Sequence, residues 1–320
     1  LEDRIPEEVI KDIAGLLQDD EWYVRAAAVE ALAVFKDRLP EEVIKDIAAR
    51  LRDVDWMVRA TAVKALAVFK DRVPEEVIKD IAGLLRDGDW RVRAAAVKAL
   101  AVFKDRVPEE AIKDIAARLR DVNRYVRAAA VEALAVFKDR VPEEVIKDIA
   151  GLLRDDDSDV RAAAVEALAV FKDRIPEEAI KDFAGLLRDD DSDVRAAAVE
   201  ALAVFKGRIP EEVIKDFAAR LRDDKWYVRA AIVKVLAKLK GRVPEEVIKD
   251  FAGRLQDVNR YVRAAAVEAL AVFKDRLSEE VIKDIAGLLR DDDGDVRAAA
   301  VEALAVFKDR LSEEVIKDIA

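Results

Sequence analysis

The chain has 320 residues, 52% of them hydrophobic, and a net charge of −11, an acidic balance that argues against general binding of phosphate backbones and so against a nucleic-acid partner. It contains no Cys and no His, which removes disulfides, thiolate chemistry, the commonest general base and the commonest metal ligand. No apolar run approaches the roughly 20 residues that span a bilayer and the amino terminus lacks a secretory pattern, so a cytoplasmic protein with no membrane contact is expected.

Self-similarity sets the organisation. The stretch Asp155–Lys172, DDDSDVRAAAVEALAVFK, recurs unchanged at Asp189–Lys206 and with one Ser-to-Gly change at Asp291–Lys308. Aligned copies follow a strict 34-residue period: 3–36, 37–70, 71–104, 105–138, 139–172, 173–206, 207–240, 241–274 and 275–308, with 309–320 opening a tenth. Positions within a copy are numbered 1 to 34, so Asp3 is position 1. Leu1 and Glu2 fit the repeat poorly and read as a cloning remnant. No linker interrupts the series, which predicts one continuous all-α solenoid over 1–320.

Each copy reads as two helices. Helix A is expected to begin at the proline of position 4, from Pro6 to Pro244, because proline suits the first helical position. Glu7 and Glu8 then place negative charge at the positive helix start. Ser278 and Ser312 replace proline in the last copies and are expected as N-caps. Val9, Ile10, Ile13, Ala14 and Leu17 have the spacing of an amphipathic helix with one wet face. Position 13 is always Gly or Ala, as at Gly15 and Ala49, which predicts a backbone passing close by. The turn at positions 17–20 is rich in Asp, Asn and Ser, acceptors for the free N–H groups of helix B.

Helix B, Val160 to Phe171 in the fifth copy, is apolar nearly all round and rich in Ala, so it must be buried. One helix pair cannot enclose it; stacked pairs can. In the seventh copy Ile232 and Val235 enlarge two Ala positions while Leu239 shrinks a Phe position, the pattern of volume compensation in a packed core.

The period matches the tetratricopeptide repeat, but that motif fails: placing Trp22 at its Trp puts Arg25 at its Leu and Val29 at its Tyr. The residues Asp155, Val160, Arg161, Ala163, Ala164, Ala167 and Leu168, with counterparts in every copy, resemble instead HEAT-like repeats of the short type found in phycobilisome lyases and artificial alphaRep libraries. The resemblance covers 3–320 and departs in repeat length. It implies an inter-repeat ladder of Asp at position 17 (Asp19, Asp53, Asp87, Asp121, Asp155, Asp189, Asp223, Asp257, Asp291) with Arg at position 23 (Arg25, Arg59, Arg93, Arg127, Arg161, Arg195, Arg229, Arg263, Arg297). It also implies that helix B lines the concave side.

Differences between copies mark the candidate binding surface. Positions 22, 23, 27 and 30 hardly vary, while 18–21 vary freely. The candidates are Trp22, Tyr23, Trp56, Met57, Trp90, Arg91, Arg124, Tyr125, Trp226, Tyr227, Arg260 and Tyr261, since Trp, Tyr and Arg dominate interface hot spots. The alternative for the Trp residues is a structural cap between neighbours. Position 20 also holds Ser158, Ser192 and Gly294, which a structural wedge would hardly tolerate. Positions 21, 25, 28 and 32 form one helical stripe, varied at Thr61, at Glu30 against Lys64, Lys98 and Lys234, and at Lys238. Charge is banded: copies one, five, six and nine sum to −4, two to four to +1 each, and seven to +4. Arg50, Arg118 and Arg254 at position 14 accompany Val54, Val122 and Val258 at position 18.

Asp155, Asp157, Asp159 and Glu166 share the spacing of a calcium loop, but Val160 stands where that loop needs Gly, so no metal is expected. No phosphate loop or nucleophile motif is present, and carboxylate pairs such as Glu7-Glu8 recur in every copy whereas active sites are singular. The expectation is a non-enzymatic scaffold, natural or engineered, without cofactor, binding a protein or peptide through the helix-B stripe. The other class is a structural solenoid with no dedicated ligand. The open apolar face of 313–320 invites end-to-end self-association.

Overall fold

The computed structural model describes residues 6–175 and 177–311. Every regular element among them is helical, and the chain groups into two compact units, Leu1–Arg174 and Ile175–Ala320. In the first unit the A helices are α1 (Glu7–Gly15), α3 (Glu41–Ala49), α5 (Glu75–Gly83), α7 (Glu109–Ala117) and α9 (Glu143–Gly151). They alternate with B helices α2 (Trp22–Val34), α4 (Trp56–Phe69), α6 (Trp90–Phe103), α8 (Arg124–Phe137) and α10 (Ser158–Phe171). The second unit has A helices α11 (Glu177–Leu186), α13 (Glu211–Arg220), α15 (Glu245–Arg254) and α17 (Glu279–Gly287). Its B helices are α12 (Ser192–Val204), α14 (Trp226–Leu239), α16 (Arg260–Val272) and α18 (Gly294–Val306). Residues 312–320, including Ser312 and the start of the tenth copy, and Leu1-Glu2 lie outside the described residues. No described helix is long and apolar enough to cross a membrane.

The described position-4 prolines stand one residue before helix A rather than inside it. Pro40 has φ −61° and ψ 151°, and its carbonyl accepts from Val43 N–H at 3.1 Å. The ring fixes φ near the helical value, but the extended ψ is that of a cap, which offers its carbonyl to the first turn without needing a donor of its own. Ser278 does cap α17, accepting from Val281 N–H at 3.4 Å. The expected close backbone approach at position 13 is absent. A Cβ built on Gly15, Gly83, Gly151, Gly185, Gly253 or Gly287 meets nothing within 4 Å, and each of these residues faces solvent. Nothing in the structure explains the small residue there.

The core of each copy is built from both helices. In the third copy Ile78, Ile81 and Leu85 meet Val92, Ala96, Val97 and Leu100, all fully buried. The small Ala side chains let B helices approach closely. Accordingly α2 packs on α4, α4 on α6, α6 on α8 and α8 on α10, and likewise α12 on α14, α14 on α16 and α16 on α18, whereas A helices touch the next A helix only sparsely. Ile232, Val235 and Leu239 of the seventh copy are all buried, as their exchange of volumes requires.

The A helices are of two kinds. Where position 11 is Ile, helix A stops after nine residues and continues as a 3-10 turn, as in Arg50–Arg52 and Leu84–Arg86. Where it is Phe (Phe183, Phe217, Phe251) the α-helix runs ten residues. Phe183 stacks on Phe205 at 5.6 Å and Phe251 meets Phe273 at 5.9 Å. The B helices mostly run into a 3-10 turn at Lys-Asp-Arg or Lys-Gly-Arg. Lys70, Lys104, Lys138 and Lys240 there take φ of 42–46°, a strained region for a residue with a Cβ.

Candidate functional site

The site is framed by arginines that tie each turn to the next copy. Arg25 donates from Nε and one Nη to both oxygens of Asp53 at 2.8 Å, and from its other Nη to the carbonyls of Asp19 (2.8 Å) and Asp20 (2.9 Å) in its own turn. The planar fork is thereby saturated in a charge-assisted bidentate pair. The same geometry joins Arg59 to Asp87, Arg93 to Asp121 and Arg127 to Asp155 in the first unit. In the second unit it joins Arg195 to Asp223, Arg229 to Asp257 and Arg263 to Asp291. Arg161 holds its own turn through the Asp155 carbonyl at 2.9 Å, and Arg297 does so through that of Asp291 at 2.6 Å. Asp19 and Asp189 accept from Glu21 and Asp191 N–H at 2.9 Å.

Burial pushes the Asp53, Asp121 and Asp257 carboxyls up. The arginine hydrogen bonds, a turn N–H and the arginine charges outweigh it and hold all three below the ordinary carboxylate range. The hydrogen bond to Asp121, against the cost of burial, raises the Arg93 guanidinium.

The same geometry accounts for the pairing of positions 14 and 18. Val54, Val122 and Val258 are almost bare to solvent, and Arg50, Arg118 and Arg254 reach Asp53, Asp121 and Asp257 at 3.7, 3.7 and 3.8 Å. Where position 18 is Asp156, Asp224 or Asp292, that carboxylate takes an extra bond from the incoming Arg127, Arg195 or Arg263 at 2.8 Å. In these copies either two arginines share one carboxylate or one arginine serves two, so the joint carries an excess positive charge in the first kind and an excess negative charge in the second.

A second set of arginines, at position 2, is not picked out by the sequence reading. Arg106 donates to the Lys70 carbonyl two copies back (3.1 Å) and to Val73 O; Arg140 donates to Lys104 O (3.2 Å) and Val107 O (2.5 Å); Arg174 donates to Lys138 O (3.1 Å) and Val141 O (2.5 Å). The Lys70, Lys104 and Lys138 carbonyls already accept from Val73, Val107 and Val141 N–H at 3.1 Å within the 3-10 turns, so the guanidinium adds a second donor there and ties the B-to-A links of successive copies together. The signal is in the chain: position 2 is Arg in every copy from Arg4 to Arg310.

On this frame the variable positions converge in two places. In the first unit Trp56, Met57, Trp90, Arg91 and Tyr125 line a groove of about 840 Å³ across α4, α6, α8 and α10. Arg91 lies over the Trp56 ring at 4.3 Å and the Trp90 ring at 4.9 Å, and Trp90 stacks on Tyr125 at 5.2 Å. The floor is small (Ala60, Thr61, Ala94, Ala95, Ala128, Ala129), and the rim is charged: Glu30, Lys64, Lys98, Glu132 and Glu166. The tryptophans therefore touch neighbouring copies and also face the groove. Trp22 and Tyr23 form an edge-to-face pair at 5.8 Å outside that lining. Arg124 pairs with Asp157 at 2.7 Å and with the Tyr125 hydroxyl at 2.8 Å, and both bonds raise its pKa.

In the second unit Trp226 meets Tyr227 edge-on at 5.7 Å and stacks on Tyr261 at 4.9 Å. Tyr227 donates to Ser192 Oγ at 2.7 Å, and Arg260 pairs with Asp293 at 2.9 Å. The stripe differs from expectation at its ends. Thr61 at position 25 is buried as groove floor, and position 32, exposed at Val68 and Val102, stays off the groove because it lies one turn beyond position 28, where the lining ends. Asp155 and Asp157 are spent on the ladder and on capping α10, and no described group of carboxylates is arranged to hold a metal.

Stacked helix pairs with an inter-repeat arginine ladder define the class: an α-solenoid. The family model of HEAT repeats matches residues 44–135, 112–203, 183–271 and 248–319, and that of the single HEAT repeat matches 9–38, so the chain belongs to the HEAT repeat family. Solenoids of this kind are typically non-enzymatic scaffolds. No curated protein matches the chain significantly. Among solved structures, Escherichia coli YibA is similar at 19% identity and TM-score 0.66, over 86% of this chain and 96% of that one. Kap95p, solved with RanGDP, is similar at 16% identity and TM-score 0.64, over 96% of this chain and 46% of that one. Kap121p bound to Ste12p is similar at 15% and 0.63, over 98% and 38%. The chain thus spans less than half the length of these two karyopherins.

Proposed function

We propose that the chain is a non-enzymatic scaffold that binds a protein or peptide through its helix-B surface, with the groove across α4 to α10 as the principal contact. The observation that carries this reading is the set of Trp56, Met57, Trp90 and Arg91 gathered over an alanine floor, large hot-spot side chains beside a surface on which a main chain can lie. The closer packing of B helices than of A helices is the geometry of an inner row, which supports a concave B surface. Kap95p and Kap121p, similar in fold, were solved with protein partners, RanGDP and Ste12p. A net charge of −11 argues against nucleic acid as the ligand.

The test uses peptides selected on the intact chain from an unbiased displayed library and measured by titration calorimetry. Trp56→Ala with Trp90→Ala is expected to weaken them at least about thirtyfold, two hot-spot losses of about 1 kcal/mol or more each, with the helical circular dichroism retained. Unchanged affinity with a retained fold overturns the groove as the binding surface.

A further inference from the structure

Resting on that reading, we infer that the groove selects an extended peptide by charge order: from the α2 side, basic, acidic, acidic, basic, basic, with an apolar side chain between the two acidic ones. Position 28 of each B helix projects one exposed charge along the rim: Glu30 on α2, Lys64 on α4, Lys98 on α6, Glu132 on α8 and Glu166 on α10. Lys64 and Lys98 form no ion pair among the described residues, so their charge is available to a ligand. Arg91, over Trp56 and Trp90, is already paired with Asp89 at 3.2 Å, so the cationic centre rests on Lys64 and Lys98, and Asp159 adds an anion at the α10 end. In a chain of net charge −11, a cationic, aromatic centre with acidic flanks is a local reversal of sign.

Complementary potentials fix register and exclude wrong partners. Packed helices lie about 9 Å apart, which an extended strand covers in about three residues at 3.3 Å each. The five rim charges therefore address ligand residues at about every third position. The exposed faces of Trp56, Met57 and Trp90 flank the place of the apolar residue, and the alanine floor admits the main chain.

Peptides from an unbiased 14-residue displayed library are selected in parallel on the intact chain, on Lys64→Glu/Lys98→Glu and on Trp56→Ala/Trp90→Ala, each checked for helical content. The expected result is a set that depends on the tryptophans, carries two acidic residues about three apart around an apolar one, and weakens about tenfold on the Lys-to-Glu variant at low salt. That variant is expected to select basic residues at the same two places. Tryptophan-dependent peptides with no acidic centre, or with affinity indifferent to the Lys-to-Glu exchange, overturn the charge order and leave the scaffold reading standing. A library that yields no tryptophan-dependent peptide overturns both.

Discussion

Copies three and five hold the same backbone with opposite surfaces. Helices α6 and α10 are both fourteen residues long, and both start at a capping Asp, Asp89 or Asp157, that accepts from the N–H two residues on. Both copies enter the arginine ladder, through Asp87 and Asp155. Yet positions 20 and 21 are Trp90-Arg91 in one and Ser158-Asp159 in the other. Turn geometry is fixed by positions 17, 19 and 23, which bond to backbone and to the next copy. Positions 20 and 21 begin the helix, where any side chain is accepted, and their identity is left to whatever the surface meets.

That division is broken most directly by Arg93→Ala. It removes the bidentate partner of the buried Asp121 carboxylate and leaves only Arg118 at 3.7 Å, and the expected loss is about 3 kcal/mol, read as a drop in the urea midpoint. Asp159→Ala, at a variable position, is expected to stay within about 0.5 kcal/mol. Comparable losses from the two would show that the variable positions also frame the fold.

Acid gives a second separation. The folded Asp53, Asp121 and Asp257 carboxyls titrate below the unfolded value of about 3.9, so their stabilisation is complete above that pH and is lost as pH falls through the folded values. Helical content is therefore expected to hold from pH 7 to about 4 and to fall below it. A chain that keeps its midpoint of urea unfolding at pH 3 would show that the ladder contributes little.

Arg106→Ala removes bonds to the Lys70 and Val73 carbonyls and is expected to cost about 1–2 kcal/mol, visible first as faster amide exchange near residues 70–73. Asp157→Ala, which removes a cap, is expected to cost about 1 kcal/mol. Trp90→Ala alone is expected to cost below about 1 kcal/mol in stability, for one partly exposed stacking pair with Tyr125. Its expected effect is on ligand affinity instead.

Much of this was legible because repetition is its own alignment. Asp at 17 and Arg at 23 never vary among nine copies, and the bidentate pairs form at those residues. Invariant Arg at position 2 carried the same signal, but its acceptors are carbonyls contributed by two other copies, and a carbonyl leaves no trace in residue type. Position 13 misled for a related reason: Gly and Ala are small whether or not anything lies against them, and the structure places open solvent there. The groove was half legible. Its Trp, Tyr and Arg residues stood out by variation, whereas buried Thr61 and the off-groove valines of position 32 were separable only once the helix-to-helix register was known.

By itself the sequence determined the period, the helix pair, the ladder residues and the buried face of helix B, because each follows from local periodicity and from invariance across copies. The tertiary structure alone decided which variable side chains meet. Arg91 between Trp56 and Trp90, Trp90 on Tyr125, and the order of rim charges from Glu30 to Glu166 all depend on the close stacking of successive B helices. That spacing is a property of packed volumes between copies, which no single copy encodes.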